Sequence, residues 1–328
     1  MIGNVALLMV LRRPKFRTES YKLIFWLALA DFGTLAFDVI FLLSTVDRYH
    51  RRFGYTISWT LCRLLFPLYY TFGAWGAFMV VALTAQRLRA VWDPFASRTR
   101  PLRVPLIALG FLFISLVLNS VGFFQYAIML VTKKRREGFE TEVRCYACKW
   151  SLFHKQAIIQ DVYIHGRELV AKVVPVAAVF LLNIAIVIVY RRRQAQGRVL
   201  RSASGQPDRE ERRFIHMLLF IGTFYVFCMF PVSVYIVAIS TVKKYTTSIR
   251  FEIFGVVANL LACTQTASNS YLYFFGSRDV REEFRLMCRD IYRSLQIKCA
   301  RRPRALSRAG LKPSLSNENA ARRPGQAP

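Results

Sequence analysis

The chain has 328 residues, 54% of them hydrophobic and 20% charged, with 27 Phe, 15 Tyr and 5 Trp, and its mean hydropathy is +0.30. That composition excludes a disordered, collagen-like or disulfide-dense secreted chain, and the clustering of the apolar residues argues against an ordinary soluble enzyme. The net charge of +28, from 47 Lys and Arg against 19 Asp and Glu, points to a membrane or to nucleic acid.

The first apolar run, Ile2–Leu11, is too short to cross a bilayer. No basic stretch precedes it and no small-residue cleavage site follows, so it does not read as a signal peptide. It is expected to be the cytoplasmic half of a helix whose beginning is missing. Six longer apolar blocks follow, at about 23–46, 61–85, 104–131, 169–190, 214–240 and 251–275. Each is near or above the ~20 residues that a membrane-crossing helix needs. Hydrocarbon offers the backbone no partner, so helices are expected. Barrel strands would be about half as long and would alternate in polarity.

The linkers separate the two explanations of the charge. If the first run exits to the cytoplasm, the segments 12–22, 87–103, 191–213 and 278–328 are cytoplasmic and hold 31 Lys and Arg; the outer segments 47–63, 132–172 and 241–250 hold 16. That bias follows the positive-inside rule and adds an attraction to the anionic inner leaflet. Nucleic acid is not expected as a partner, because no soluble module is long enough to bind it. After Ser277, Val280, Phe284, Met287 and Ile291 recur at helical spacing with Arg and Glu between them, as in an amphipathic helix on the membrane surface. The domain reading is therefore a membrane domain at 1–277, a surface helix at 278–293 and a basic, disordered cytoplasmic tail at 294–328.

Polar groups at membrane depth are costly and are functional candidates by default. Asp31 stands in Leu27-Ala28-Leu29-Ala30-Asp31, Asn4 in Gly3-Asn4-Val5, and Asn269 and Tyr273 in Asn269-Ser270-Tyr271-Leu272-Tyr273. Pro175 and Pro231 interrupt their blocks. Arg87 lies 25 residues after Cys62, and Pro94 follows. Tyr225, Cys228, Met229 and Pro231 form one spaced set; Val280, Arg281 and Phe284 form another. In order and spacing these motifs resemble those of the rhodopsin-like (class A) G-protein-coupled receptors, over about residues 3–288. The resemblance implies an all-α seven-transmembrane bundle, its first helix truncated, with a short eighth helix on the cytoplasmic face. The run Tyr273-Phe274-Phe275-Gly276 is similar to invertebrate neuropeptide receptors of the FMRFamide type. This chain departs from the family pattern at Gln86, where an acid is usual, and at Leu88, Met229, Ser270 and Asn183.

The resemblance gives the residues tasks. Arg87, with Gln86, Glu211, Asn269 and Tyr273, would switch coupling to a heterotrimeric G protein, and Glu211 would clamp Arg87 in the closed state. Asn4, Asp31, Asn269 and Thr266 would form an intramembrane polar network. Asp31 is a weak sodium site, since Gly76 removes a usual hydroxyl, and hydrogen bonding is the preferred reading. The family's outer disulfide would join Cys62 to Cys145 or Cys148, with Cys145 slightly preferred. Cys288 or Cys299 is a candidate for palmitoylation, with a plain free thiol the rival reading.

Tyr69, Tyr70, Phe72, Met229 and Tyr235 are the candidate ligand pocket, with packing between helices the competing role for each. Amine receptors carry an Asp where this chain has Tyr69, which argues against an amine ligand; no Lys stands where retinal attaches in opsins. A long outer loop and an aromatic pocket suit a peptide. The expected activity is that of a plasma-membrane receptor for an extracellular ligand, a neuropeptide by this reading. The rivals are a chemosensory or decoy receptor of the same fold, and a transporter or channel. No P-loop, Gly-x-Ser-x-Gly or His-Glu-x-x-His is present, so neither enzyme chemistry nor a cofactor is expected.

Overall fold

The computed structural model describes residues 1–45, 60–93, 102–133, 143–150, 157–200, 209–241 and 248–309. Nine helices are named here: α1 (Ile2–Leu11), α2 (Glu19–Thr45), α3 (Phe66–Trp92), α4 (Val104–Asn119), α5 (Ala157–Glu168), α6 (Val174–Leu200), α7 (Arg209–Thr241), α8 (Ile249–Gly276) and α9 (Arg278–Ala309). Two π turns interrupt the sequence, Leu61–Leu65 ahead of α3 and Leu169–Val173 between α5 and α6. Proline sits in the first turns of α3 and α4, where its missing N–H costs nothing. Four spans among the described residues are long and apolar enough to cross a membrane: Glu19–Ile40, Arg63–Trp92, His165–Arg193 and His216–Ala238.

The chain divides into two compact units, Met1–Arg281 and Glu282–Pro328. Within the first, α3 is the central post. It packs against α2, α4, α6 and α7, while α8 closes the bundle against α1, α2 and α7. Small residues allow the close approaches. A Cβ on Gly33 of α2 would collide with the Phe72 ring of α3, and Phe72 in turn contacts Phe37 and Trp75 at ring-centre distances of 5.4 and 5.8 Å. Trp75 is buried, and its indole N–H donates to the Ala108 carbonyl of α4 at 2.9 Å. The Tyr163 hydroxyl donates to the Leu118 carbonyl at 2.6 Å, which ties α5 to the other end of α4. Where α3 ends, Arg193 of α6 donates to the Trp92 carbonyl.

At the junction of α8 and α9, Ser277 is extended (φ −100°, ψ 119°) and its N–H donates to Tyr273. Its hydroxyl accepts the Val280 N–H at 3.4 Å, so the residue that ends one helix caps the next. Tyr21 reaches the same hydroxyl at 3.5 Å and Lys15 pairs with Asp279 at 2.8 Å, which fastens the α1–α2 connection to this corner.

Three sequence expectations change. The apolar block 104–131 is not one helix. Asn119 turns its amide back to the Ser115 carbonyl and Ser120 its hydroxyl to Val117, both at 2.8 Å, side-chain bonds that compete with helix continuation. Gly122–Gln125 forms a single turn, after which the β-branched and aromatic run enters a strand. The bundle stays helical as expected, and one β element that the sequence reading did not foresee is added to it. Tyr126–Lys133 and Val143–Trp150 pair as an antiparallel hairpin, from Tyr126 opposite Trp150 to Lys133 opposite Val143. The amphipathic segment expected at 278–293 continues as helix to Ala309, consistent with its Arg, Leu and Ala content; residues 310–328 lie outside the described set.

Trp75 supplies the test of the packing. Trp75→Phe removes one donor and should cost about 1 kcal/mol, whereas Trp75→Ala opens a cavity and should cost about 3–5 kcal/mol. Heat unfolding of the purified protein in detergent should show a small fall in midpoint for the first and a large one for the second. Equal midpoints for wild type and Trp75→Ala would contradict the buried α3–α4 contact.

Candidate functional site

Two cavities lie along α3 and share Val80 as a lining residue. The first, of about 90 Å³, is towards the Phe66 end and reaches from Tyr69 and Tyr70 down to Asp31. The second, of about 20 Å³, is towards the Trp92 end and is lined by Arg87, Tyr273, Asn183 and apolar residues of α6 and α7.

Asp31 lies buried on α2, and α8 supplies its partner. Asn269 donates from Nδ2 to Asp31 Oδ2 at 2.8 Å, and Gln265 donates to Asn269 Oδ1 at 3.0 Å. Gln265 and Asn269 are one helical turn apart, so a single face of α8 presents the relay. Thr266 faces the first cavity but bonds within its own helix, to the Ala262 carbonyl at 3.3 Å and to Gln265 at 3.5 Å. Asn4 is buried on α1, yet neither end of its amide meets a protein partner among the described residues. The expected chain of bonds from Asp31 through Asn269 to Asn4 is therefore present in its first link and absent in its second. The cause is packing: Gly3 brings α1 against Ser270 and Tyr271 of α8, one residue away from the relay. A sodium shell is not completed here. Asp31 Oδ1 faces Gly76, which has no oxygen-bearing side chain, and Asn269 takes the other carboxylate oxygen.

Of the five candidate pocket residues, three line the first cavity and two pack elsewhere. Tyr69, Tyr70 and Met229 line the first cavity. Phe72 instead fills the α2–α3 seam against Gly33, and Tyr235 stacks on Phe251 at 4.9 Å and packs over Gly255 in the α7–α8 seam. Both are absorbed by glycines on the neighbouring helix, a pairing that periodicity within one helix does not reveal.

Charged residues missed in the sequence complete the cavity. Asp38 stands two turns beyond Asp31 on α2 and accepts from Cys263 Sγ at 3.7 Å and from the Tyr69 hydroxyl. Arg167 and Lys172 both hold Glu168, at 2.5 and 2.7 Å. The guanidinium of Arg167 also lies 4.3 Å from the centre of the Tyr70 ring. The π turn Leu169–Val173 lies within this wall and carries Ala171 and Lys172 to the cavity; π turns are frequent at functional sites. The available signal was the i, i+7 spacing of Asp31 and Asp38 inside one apolar block. The Arg167–Glu168–Lys172 group was read as loop charge.

Gln86, next to Arg87 of the second cavity in sequence, is engaged by another helix. It is buried and accepts from Ser20 Oγ of α2 at 3.2 Å. Arg87 and Tyr273 line the cavity together, with the Tyr273 ring fully buried. Asn183 packs on Gly222 of α7, where an added Cβ would lie 2.7 Å from its amide nitrogen. Glu211 is in α7, but its side chain lies outside the described residues, as do those of Cys62, Cys145 and Cys148; the two loop cysteines occupy register positions opposite Val131 and Ile128. Cys288 is an exposed free thiol.

Residues 3–273 match the model of the 7 transmembrane receptor (rhodopsin family). A probable G-protein coupled receptor of Caenorhabditis elegans is 27% identical over 299 residues, covering 87% of this chain and 65% of that protein. A second probable G-protein coupled receptor of the same organism is 26% identical over 252 residues, covering 69% and 59%. Somatostatin receptor type 4 of Rattus norvegicus is 25% identical over 292 residues, covering 88% and 69%. The chain thus spans about two thirds of the length of these relatives.

The Asp31–Asn269 bond makes a direct prediction. Asn269→Ala leaves a buried carboxyl without its donor and should cost about 1–3 kcal/mol. Adding Asp31→Asn should return part of that loss, and the double-mutant cycle should give a coupling above about 0.5 kcal/mol. Additive losses in heat unfolding would mean that the two side chains do not act as a pair.

Proposed function

The chain belongs to the rhodopsin family of seven-transmembrane receptors, and from that premise we propose that it binds an extracellular peptide in the first cavity and activates a heterotrimeric G protein beside the second. The family's members are receptors rather than enzymes, held in the plasma membrane by several spans. The observation that carries the reading is the stacking of two cavities on one helix, with the Asp31–Asn269 link on the wall between them. A ligand at Tyr69, Tyr70 and Met229 can then bias the packing of α7 and α8, and with it the surroundings of Arg87 and Tyr273.

In this account the ligand shifts a pre-existing equilibrium by binding one state more tightly. Arg87 turns towards the G protein in the open state, and Glu211 holds it in the closed one. Because the coupling is reciprocal, bound G protein tightens agonist binding. The first cavity holds a side chain or chain end, and the rest of the peptide rests on the outer loop, where the 126–150 hairpin lies. Cys62 pairs with Cys145 or Cys148 to fix that loop. The segment 278–293 lies on the anionic inner leaflet, palmitoylation of Cys288 would add a second anchor, and the carboxy-terminal tail is cytoplasmic.

One observation favours a second reading, a chemosensory or decoy receptor of the same fold. Gln86 stands where the family has an acid, and it is engaged by Ser20, so the usual restraint on Arg87 is altered.

Nucleotide exchange on G protein in membranes carrying the receptor separates the two. Tissue peptide extract should stimulate exchange several-fold; protease treatment of the extract, or Arg87→Ala, should abolish it. Glu211→Ala should raise basal exchange, and an unchanged basal rate would remove the clamp. A surface-expressed receptor that never promotes exchange with any extract would favour the decoy.

A further inference from the structure

Among the charged groups of the first cavity, two acids have no cation beside them among the described residues, Asp31 and Asp38, and Asp38 is the less buried of the two. Glu168 is held by two cations, and Arg167 and Lys172 are paired with Glu168, Arg167 lying also against the Tyr70 ring. Asp31 has an amide donor on α8. Asp38 is half-buried and lines the cavity, but its contacts are a thiol and a phenol, both neutral. No cation pairs with it among the described residues. Desolvating a carboxylate costs several kcal/mol, which two neutral donors do not offset, and an acid at membrane depth calls for a partner.

The cavity's shape narrows the choice of partner. At about 90 Å³ it is too small for a peptide but admits the tip of one side chain or a chain terminus. Its charges are sorted. The α2 and α8 walls bring Asp38 and Asp31 with neutral Asn259, Cys263, Gln265 and Thr266, and the basic residues come from α5 and the π turn. The absence of an acid at position 69 argued against a cationic ligand. The fold returns an acid to the same cavity from α2 and fixes it through the Tyr69 hydroxyl.

We propose that the first cavity receives a cationic group of the ligand, the ammonium or guanidinium of a basic residue or amino terminus, and that Asp38 is its counter-ion. This rests on the reading of the cavity as the outward-facing ligand site.

Cys263 is a reporter already in place, 3.7 Å from the Asp38 carboxylate. The test compares two methanethiosulfonate reagents of similar size, one carrying trimethylammonium and one sulfonate, added outside to intact cells that express the full chain. Each transfers its thioalkyl group to the Cys263 thiolate, forming a mixed disulfide and releasing methanesulfinate. Labelling is read on the Cys263 peptide by mass spectrometry, because Cys228 and Cys288 are also free thiols. Rates are divided by those of each reagent with free 2-mercaptoethanol.

The corrected ratio of cationic to anionic rate should be about tenfold or more, the scale on which a charged cleft concentrates ions. It should fall as salt is raised, persist in Asp38→Glu and drop to one or below in Asp38→Asn. Should Asp38→Asn fail to reach the surface, the wild-type ratio and its salt dependence still decide. A wild-type ratio near one, with both reagents reacting readily, would overturn the cation site and leave the receptor reading standing. A ratio unchanged by Asp38→Asn would do the same. If neither reagent reaches Cys263 from outside, the cavity is not open to an external cation, and both the site and the outward-facing cavity fail.

Discussion

The bundle turns on one hydrogen bond inside an apolar medium, from Asn269 Nδ2 to Asp31 Oδ2 at 2.8 Å. Between membrane helices there is little hydrophobic force to hold a register, so small residues and polar contacts must set it. This bond fixes α8 against α2 at the level where the first cavity ends. Gly33 and Gly255 let α2 meet α3 and α7 meet α8 at close range, but such seams tolerate sliding. A buried carboxyl with a single amide donor does not, because a shifted helix would leave both groups unpaired at a cost of several kcal/mol.

Other polar atoms of the same region are held less tightly. The hydroxyls of Tyr225, Ser270 and Tyr273 and the amide of Asn4 are buried without a direct partner among the described residues. Three of the four belong to α1 and α8, the pair that meets through Gly3. Ser270 stands where the family pattern has a proline, so α8 keeps a backbone N–H there and runs unbroken from Ile249 to Gly276. A receptor that moves between two packings needs groups that can exchange partners, and a helix without a proline kink places that freedom in its side chains.

How much of this was legible in the sequence depends on the range of the interaction. The long blocks became helices because length and hydropathy are local properties. The pairing of Asp31 with Asn269 was also readable, since few partners are available to an acid in lipid. The 104–131 block misled because hydropathy does not distinguish an apolar helix from an apolar strand; the turn at Asn119 and Ser120 decided the matter through side-chain bonds to the backbone. Phe72 and Tyr235 were assigned to the pocket by type, but the fold used them against glycines of other helices. Asp38 was overlooked because its weight comes from the cavity in front of it, which no linear pattern shows. Arg167 and Lys172 looked like loop charges until the π turn placed them in a wall with Glu168.

The brevity of α4 reaches beyond the protein itself. Sixteen helical residues rise only about 24 Å, some 6 Å short of the ~30 Å hydrocarbon layer. Leu106, Leu109, Phe113 and Val117 are exposed along this helix, so lipid chains must pack against it. Acyl chains on that flank are compressed, while those beside the 27-residue α2 and α3 are not. Such an asymmetric annulus carries an elastic energy of fractions of a kcal/mol per ångström of mismatch. It is relieved where the bilayer is thinner or where a second hydrophobic surface covers α4. A helix that brings only Asn119 to the first cavity and nothing to the second thereby gives the molecule a side on which the thickness of the membrane bears.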